Sequence, residues 1–316
     1  MRSILAPRAC TILYNLLRQV APGRAFLLPA NICPIVPVTF FKAGLPIEFV
    51  DISANTLNMD LDEVQARLER DDRTYGGLLY GHTYGHPLTP EAFFQHIKRR
   101  FPDLLIIDDR CLCVPDFVQP RSSPADVTLY STGYAKIVDI GFGGFAFLQD
   151  RVRYQHHGLP FREADLDAME GAYKACMEAN RVFSYADSDW LQADADLPAW
   201  DDYQRQVMDA LKLSIEHRDA INAVYNSRIP SQLGLARDFQ LWRFSLRVPE
   251  KQKVLAAVFA AGLFASSHYA SLDGIMGAGG GRNARELAGQ VINLFNDQHY
   301  TLDMAERTAE IVRRSL

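Results

Sequence analysis

Short apolar segments alternate with amphipathic segments through the first 150 positions, and this alternation restricts the possible folds more than any other feature. The apolar segments, which we predict to be strands, are residues 25–28, 47–50, 77–80, 104–107, 127–131 and 144–148. Helices are predicted at residues 11–20, 34–43 and 61–68, and from an N-cap at Thr89 to about residue 100. This order predicts a mainly parallel, doubly wound α/β sheet. Ligands bind beyond the carboxyl ends of strands in such sheets, so residues that follow strands are the first candidates for a site.

The pattern changes after residue 150, and we predict a second, smaller domain at the C-terminus. Two predicted helices, residues 163–181 and 201–226, come first. A mixture of strands and helices then follows, at residues 240–248, 254–261, 291–295 and 302–314. The expected division is a large domain of residues 1–226 and a small α/β domain of residues 227–316.

Charge and cysteine content indicate a cytoplasmic protein. The 33 basic and 38 acidic residues give a net charge of −5, so we expect no nucleic-acid or membrane partner. The five cysteines are an odd number, which favours free thiols in a reducing compartment. The first 20 residues do not have the pattern of a secretory signal. No metal site is expected, because Gly85 and Pro87 place His82 and His86 in a loop rather than on one helix face.

Lys136 and Asp109 are the leading candidates for chemistry. Lys136 follows the strand at 127–131 and precedes a glycine-rich segment at 141–144, where a desolvated lysine can attack carbonyl groups. Ser131, which ends that strand, could bind a phosphate. Asp109 follows the strand at 104–107, where a carboxylate can pair with a protonated ring nitrogen. The spacing alone leaves a surface lysine and a turn or N-cap aspartate open as alternatives.

Several motifs then occur in an order that is typical of one family. They are Leu28-Pro29-Ala30-Asn31-Ile32-Cys33-Pro34, Gly44 through Asp51 with Asn58 and Asp60, His82-Thr83-Tyr84-Gly85-His86-Pro87, Ile107-Asp108-Asp109, Ser131 to Lys136 with the glycines at 141–144, Trp242-Arg243-Phe244, His268-Tyr269 and Val291-Ile292-Asn293-Leu294. In this order the chain resembles the DegT/DnrJ/EryC1/StrS family of sugar aminotransferases. That resemblance implies the pyridoxal-phosphate-dependent transferase fold of type I.

The resemblance also implies residue roles around pyridoxal 5'-phosphate. Lys136 would form the Schiff base with the cofactor and shuttle a proton, and Asp109 would hold the pyridinium. The cofactor phosphate would bind to Ser131 and to the turn before the first helix, Arg8-Ala9-Cys10, since a helix N-terminus suits an anion. Cys33 would occupy the position at which an aromatic residue often stacks on the cofactor ring. The substrate would contact His82, Tyr84 and Arg243.

The implied function is transfer of an amino group from an amino acid, glutamate, to a keto-sugar linked to a nucleotide. The implied assembly is a homodimer with active sites at the subunit boundary, and the aromatic residues between 159 and 190 are typical of an interface. Packing within one subunit is the alternative reading of those residues. Two other functions stay open. Leu112 and Cys33 depart from the family pattern and motivate a dehydratase or lyase that uses the same cofactor, and a relative without turnover could act as a binding subunit.

Overall fold

An eight-stranded sheet forms the centre of the protein. The computed structural model describes residues 1–118 and 123–316. The strands of the sheet are β1 (Arg2–Ala6), β2 (Ala25–Pro29), β3 (Ile47–Val50), β4 (Tyr75–Gly81), β5 (Leu105–Asp109), β6 (Val127–Ser131), β7 (Gly144–Leu148) and β10 (Ala278–Gly279). Their spatial order is β1-β7-β6-β5-β4-β2-β3-β10. Strands β2 to β6 are parallel, and β7 runs antiparallel to both of its neighbours.

Helices cover both faces of this sheet. The helices are α1 (Ala9–Leu17), α2 (Ile35–Ala43), α3 (Leu61–Arg70), α4 (Glu91–Arg100), α5 (Glu163–Glu178), α6 (Trp200–Arg228), α7 (Lys251–Ala260), α8 (Arg282–Gln290) and α9 (Leu302–Ser315). Within β2, Phe26 and Leu28 belong to the core cluster that contains α1 and α2, while Leu27 belongs to the one that contains α3 and α4. Successive strand residues point to opposite faces, so β2 is buried on both sides. The predicted parallel, doubly wound sheet is confirmed.

Two helix ends follow local rules, and one predicted helix start does not. Helix α2 ends at Gly44, whose φ of 76° places it in the left-handed region that favours glycine. The Asp60 carboxylate caps α3 by accepting hydrogen bonds from two backbone N–H groups. The predicted N-cap at Thr89 is wrong. Helix α4 begins at Glu91 with Pro90 at the cap position, and the Thr89 hydroxyl instead lies 3.3 Å from the Asp108 carboxylate.

A smaller antiparallel sheet lies in the C-terminal part of the chain. It consists of β8 (Phe244–Arg247), β11 (Val291–Leu294) and β9 (Ala265–Ser266), in that order. Its core includes residues from α7, α9 and the end of α6. Helix α6 extends across the predicted boundary and packs against both sheets. Tyr203 lies in a core cluster of the large sheet, and Tyr225 lies in the core of the small one. The division at residues 226 and 227 therefore stays a prediction.

The aromatic residues between 159 and 190 are mostly buried within the chain. Met169, Tyr173, Phe183 and Trp190 all join the core cluster around α1 and α2, and only Phe161 of this group is exposed. Packing within one subunit thus accounts for most of the residues from which an interface was predicted. No helix among the described residues is long and apolar enough to cross a membrane.

Candidate active site

A cavity of about 470 Å³ opens at the carboxyl ends of the parallel strands. The last residues of four strands line it, namely Pro29, Gly81, Asp109 and Ser131. Other parts of the lining come from the first turn of α1, from residues 166–192, and from residues 242–243 and 268–269 next to the small sheet. The cavity thus lies where a doubly wound sheet is expected to bind its ligand.

Lys136 lines this cavity on a tightly held loop that follows β6. The preceding residue, Ala135, has a φ of 59°, a left-handed conformation that is unfavourable for a side chain other than glycine. Two contacts fix it there. The Asp139 carboxylate accepts a hydrogen bond from the Ala135 amide at 3.0 Å, and the Trp242 indole donates to the Ala135 carbonyl at 2.8 Å. The loop is therefore held at both the amide and the carbonyl of Ala135, the residue that precedes the lysine.

Asp108 and Asp109 face opposite ways at the end of β5. Asp109 lines the cavity, and one of its carboxylate oxygens accepts a hydrogen bond from the Cys111 amide at 3.0 Å. Asp108 is fully buried behind the strand and lies 2.7 Å from Nε2 of His82. Alternation along a strand produces this arrangement, because neighbouring side chains cannot share a face. Only Asp109 is placed to contact a ligand in the cavity.

The His82 ring is committed to structural contacts. Its Nδ1 lies against the backbone carbonyl of His86, and its Nε2 against Asp108, so both nitrogens face acceptors. Burial by itself lowers the pKa of His82, but the neighbouring Cys113 and Asp108 outweigh burial and raise the pKa to about 10. The imidazolium is the form that both contacts require. His82 reaches the cavity wall, although its ring nitrogens are not free to bind substrate.

The predicted substrate contact of Tyr84 is wrong. Tyr84 is fully buried and is not part of the cavity lining. Its ring lies parallel to that of Trp242, with 6.3 Å between the centroids, so Trp242 separates it from the cavity. The cause is local: the backbone turns sharply at Tyr84, which has a φ of 52°, and at Gly85, which has a φ of 83°. A side chain that follows a strand end need not face the site when the loop reverses.

The first turn of α1 forms one end of the cavity. Arg8, Ala9 and Cys10 line it together with Ser131, so the residues proposed for an anion site lie in one cavity. Gly144 allows this arrangement, because a Cβ atom there would lie 2.1 Å from the Ala9 amide nitrogen. Sequence reasoning missed a neighbour of this site, Gln192, which also lines the cavity. Its side-chain carbonyl accepts a hydrogen bond from Nε of Arg8 at 3.3 Å.

Three thiols with raised pKa values line the cavity. Burial raises the pKa of the Cys10 thiol to about 11, and burial likewise raises the pKa of Cys33 and Cys111. A thiol is reactive only as the thiolate, so these cysteines stay protonated near neutral pH. Leu112 contributes an apolar patch beside them. Among the described residues, no group of three or more His, Cys, Asp or Glu side chains is placed to hold a metal ion.

Arg243 is a buried cation in the part of the cavity wall that residues 242–269 form. Its guanidinium lies 3.6 Å from the ring centroid of Phe295 and 5.0 Å from that of Trp242, and it donates to the Ser266 hydroxyl at 3.3 Å. Burial lowers its pKa, although an arginine in this range remains charged. Beside it, His268 lines the cavity, and burial together with the charges of Arg243 and Lys136 lowers its pKa to about 4. The site thus combines a lysine, a carboxylate, a helix N-terminus and a buried arginine.

Several solved structures are similar to this chain over nearly its whole length. A DegT/DnrJ/EryC1/StrS aminotransferase from Brucella abortus is 15% identical to this chain, with a TM-score of 0.69 over 99% of this chain and 86% of that one. A sugar aminotransferase from Micromonospora echinospora is 16% identical, with a TM-score of 0.67 over 99% and 87%. DesI, solved in the presence of its TDP-sugar product, is 16% identical, with a TM-score of 0.70 over 99% and 80%.

These likenesses confirm the predicted fold. The chain has the α/β fold of the pyridoxal-phosphate-dependent aminotransferases of fold type I, over nearly its whole length. The sequence matches no protein-family model, and no curated protein is significantly similar to it. At this level of identity the comparison establishes the fold, and the activity has to be argued from the residues of the site.

Asp108→Asn should destabilise the protein in a pH-dependent way. The folded-state pKa of His82 lies above its ordinary value of 6.5, so the pair with Asp108 stabilises fully below that pH. This stabilisation is lost as the pH rises through about 10. At pH 6 we expect the variant to lose about 3 kcal/mol of unfolding free energy, because one partner of a buried pair is removed.

Urea unfolding at pH 6 and pH 10 measures this effect. The difference between wild type and Asp108→Asn should shrink at the higher pH. Asp103→Asn is the control, because it removes an exposed carboxylate that precedes the same strand. A difference that is the same at both pH values would show that the His82 charge does not matter.

Proposed function

We propose that the protein is a pyridoxal-phosphate-dependent aminotransferase. The observation that carries this proposal is the presence of Lys136, Asp109 and the N-terminus of α1 in the lining of one cavity. A lysine amine, an acid for a ring nitrogen and an anion site are the three groups that this cofactor requires. The fold is that of known aminotransferases, which supports the same reading.

The residues present fit the cofactor. Arg8 and the α1 amides supply positive charge for a phosphate, and Ser131 supplies a hydroxyl. Gly144 keeps this end open, since any side chain there would occupy the first turn of α1. Once bound, pyridoxal phosphate supplies an electron sink for the α-carbon of an amino acid. Lys136 would hold the cofactor through its carbonyl and would move the proton at that α-carbon, and Asp109 would keep the ring nitrogen protonated.

The substrates that we propose are glutamate as donor and a nucleotide-linked keto-sugar as acceptor. Arg243 is a buried cation in the cavity wall, and its planar guanidinium suits a carboxylate. Tyr134 lines the cavity and is 82% exposed, which offers an aromatic surface to a ligand that extends outwards. DesI was solved in the presence of its TDP-sugar product, and this ligand class supports the acceptor proposed here.

A dehydratase or lyase that uses the same cofactor is the second candidate. Leu112 and Cys33, which depart from the family pattern, both lie in the cavity lining. Neither an aliphatic side chain nor a protonated thiol supplies the ring stacking or polar contact usual at those positions. This candidate keeps the roles of Lys136 and Asp109 and changes only the fate of the substrate. A binding subunit without turnover is the remaining alternative.

The visible absorbance of the purified protein, before and after addition of L-glutamate, tests the proposal. We expect bound pyridoxal phosphate to be converted to its pyridoxamine form, because a transaminase half-reaction leaves the amino group on the cofactor. Lys136→Ala should give no borohydride-reducible adduct, whereas Lys253→Ala, at an exposed position on α7, should match wild type. Bound cofactor without conversion by any amino acid would favour the lyase. No bound cofactor would favour the binding subunit.

Asp109→Asn should lose most activity while the protein stays folded. The amide cannot hold a proton on the ring nitrogen by charge, so the cofactor becomes a weaker electron sink. The loss of a partly buried charged contact, about 3 kcal/mol, corresponds to roughly a 100-fold fall in kcat/KM. Asp103→Asn again serves as the control. Equal kcat/KM for Asp109→Asn and wild type would remove Asp109 from the mechanism.

We also propose a homodimer with active sites at the subunit boundary, working in the cytoplasm. Tyr134 in the cavity lining, and Met208 and Leu213 on α6, are exposed apolar side chains that a second subunit could cover. Light scattering at micromolar concentration should give twice the 35.6 kDa mass of one chain. A monomer that binds the cofactor and transaminates would refute the shared site.

A further inference from the structure

Arg218 is a buried cation whose hydrogen-bond acceptors are all uncharged. It lies on α6 with only 2% of its surface exposed. Its acceptors are the carbonyls of Lys136, Ile137, Leu241 and Trp242, the Ser214 hydroxyl and the Asn296 side-chain carbonyl. Neither the sequence motifs nor the proposed reaction assigns any role to this arginine.

These contacts join the two halves of the site. One guanidinium nitrogen donates to the carbonyl of Lys136 at 3.0 Å, and another donates to the carbonyl of Trp242 at 2.7 Å. Trp242 immediately precedes Arg243, and its indole also donates to the carbonyl of Ala135. Arg218 thereby holds both residues of the site. It binds Lys136 through the carbonyl of Lys136 itself, and it binds Arg243 through the carbonyl of the preceding residue, Trp242.

The energetic cost of this arrangement argues for a specific role. A guanidinium without a carboxylate partner is expensive to bury, and burial lowers the pKa of Arg218 to about 10. The charged groups that face it are Asp297, Asp139 and Arg243, and the last of these opposes its charge. An apolar residue could fill the same volume at lower cost. What only arginine provides is a planar fork that reaches carbonyls on separate segments at once.

We propose that Arg218 is a positioning residue that fixes Lys136 relative to Arg243. This inference rests on the proposed function for its catalytic meaning. Arginine donates to the backbone of both segments, at Lys136 and at Trp242, whereas a lysine at 218 has no planar fork with which to bridge them. Loss of the fork should therefore displace the reactive amine without removing any group that contacts substrate.

The test compares Arg218→Lys and Arg218→Met with a matched control, Arg228→Met. Arg228 lies on the same helix but is half exposed and pairs with Glu306. The first readout is hydrogen exchange of the peptide that contains residues 132–138, in protein without added cofactor. The second is the rate at which pyridoxal phosphate forms a borohydride-reducible adduct at Lys136, measured well below the unfolding temperature.

Faster exchange at 132–138 is expected in both Arg218 variants and not in Arg228→Met. Adduct formation should slow by roughly 10- to 100-fold, since a displacement of about 1 Å is enough for such a loss. Folded Arg218 variants that match wild type in both readouts would overturn the proposal. A general rise in exchange over the whole chain, with no excess at 132–138, would also overturn it, because that is the result of a merely structural role.

Two further controls keep the result decisive. If the Arg218 variants do not fold, Ser214→Ala replaces them, because its hydroxyl contacts both Arg218 and the Ile137 carbonyl. The same local rise in exchange is then expected, and its absence would contradict the proposal. If wild-type protein forms no adduct, the proposed function fails on its own. Hydrogen exchange still decides whether Arg218 holds the Lys136 loop.

Discussion

Two consecutive aspartates at the end of β5 organise the site by pointing in opposite directions. Asp108 is held behind the strand by the buried His82 ring, and this pair fixes the strand end from the side away from the cavity. Asp109 is then directed into the cavity beside Lys136 and Ser131. A strand offers only two faces, so the structural contact of the first carboxylate determines where the second one points. The other lining residues surround the Asp109 side chain.

The central sheet could be read from the sequence because its signals are local. Strands β3, β6 and β7 were predicted with their observed bounds, since each is a short apolar run between turn residues. Gly44 correctly marked the end of α2. Strand β1 was missed, because its outer residues are exposed and only its antiparallel pairing with β7 makes it a strand. Pairing between distant segments leaves no mark in a local pattern.

The difference between local patterns and distant contacts also explains which site residues the sequence predicts and which it does not. Asp109 and Ser131 end strands and Lys136 follows one, and the topology of a parallel sheet brings such residues together. Tyr84 also follows a strand, but its loop reverses and buries the ring, which spacing could not reveal. Gln192 lies in a stretch without regular structure. Its place beside Arg8 depends on how residues 182–199 return to the sheet, which no local signal specifies.

A structure of the protein crystallised with pyridoxal phosphate would test the central claim most directly. The account predicts continuous density from Nζ of Lys136 to the cofactor, an Asp109 oxygen within hydrogen-bond distance of the ring nitrogen, and the phosphate at the first turn of α1. Density joined to another lysine would contradict it. So would a cofactor whose ring nitrogen faces away from Asp109.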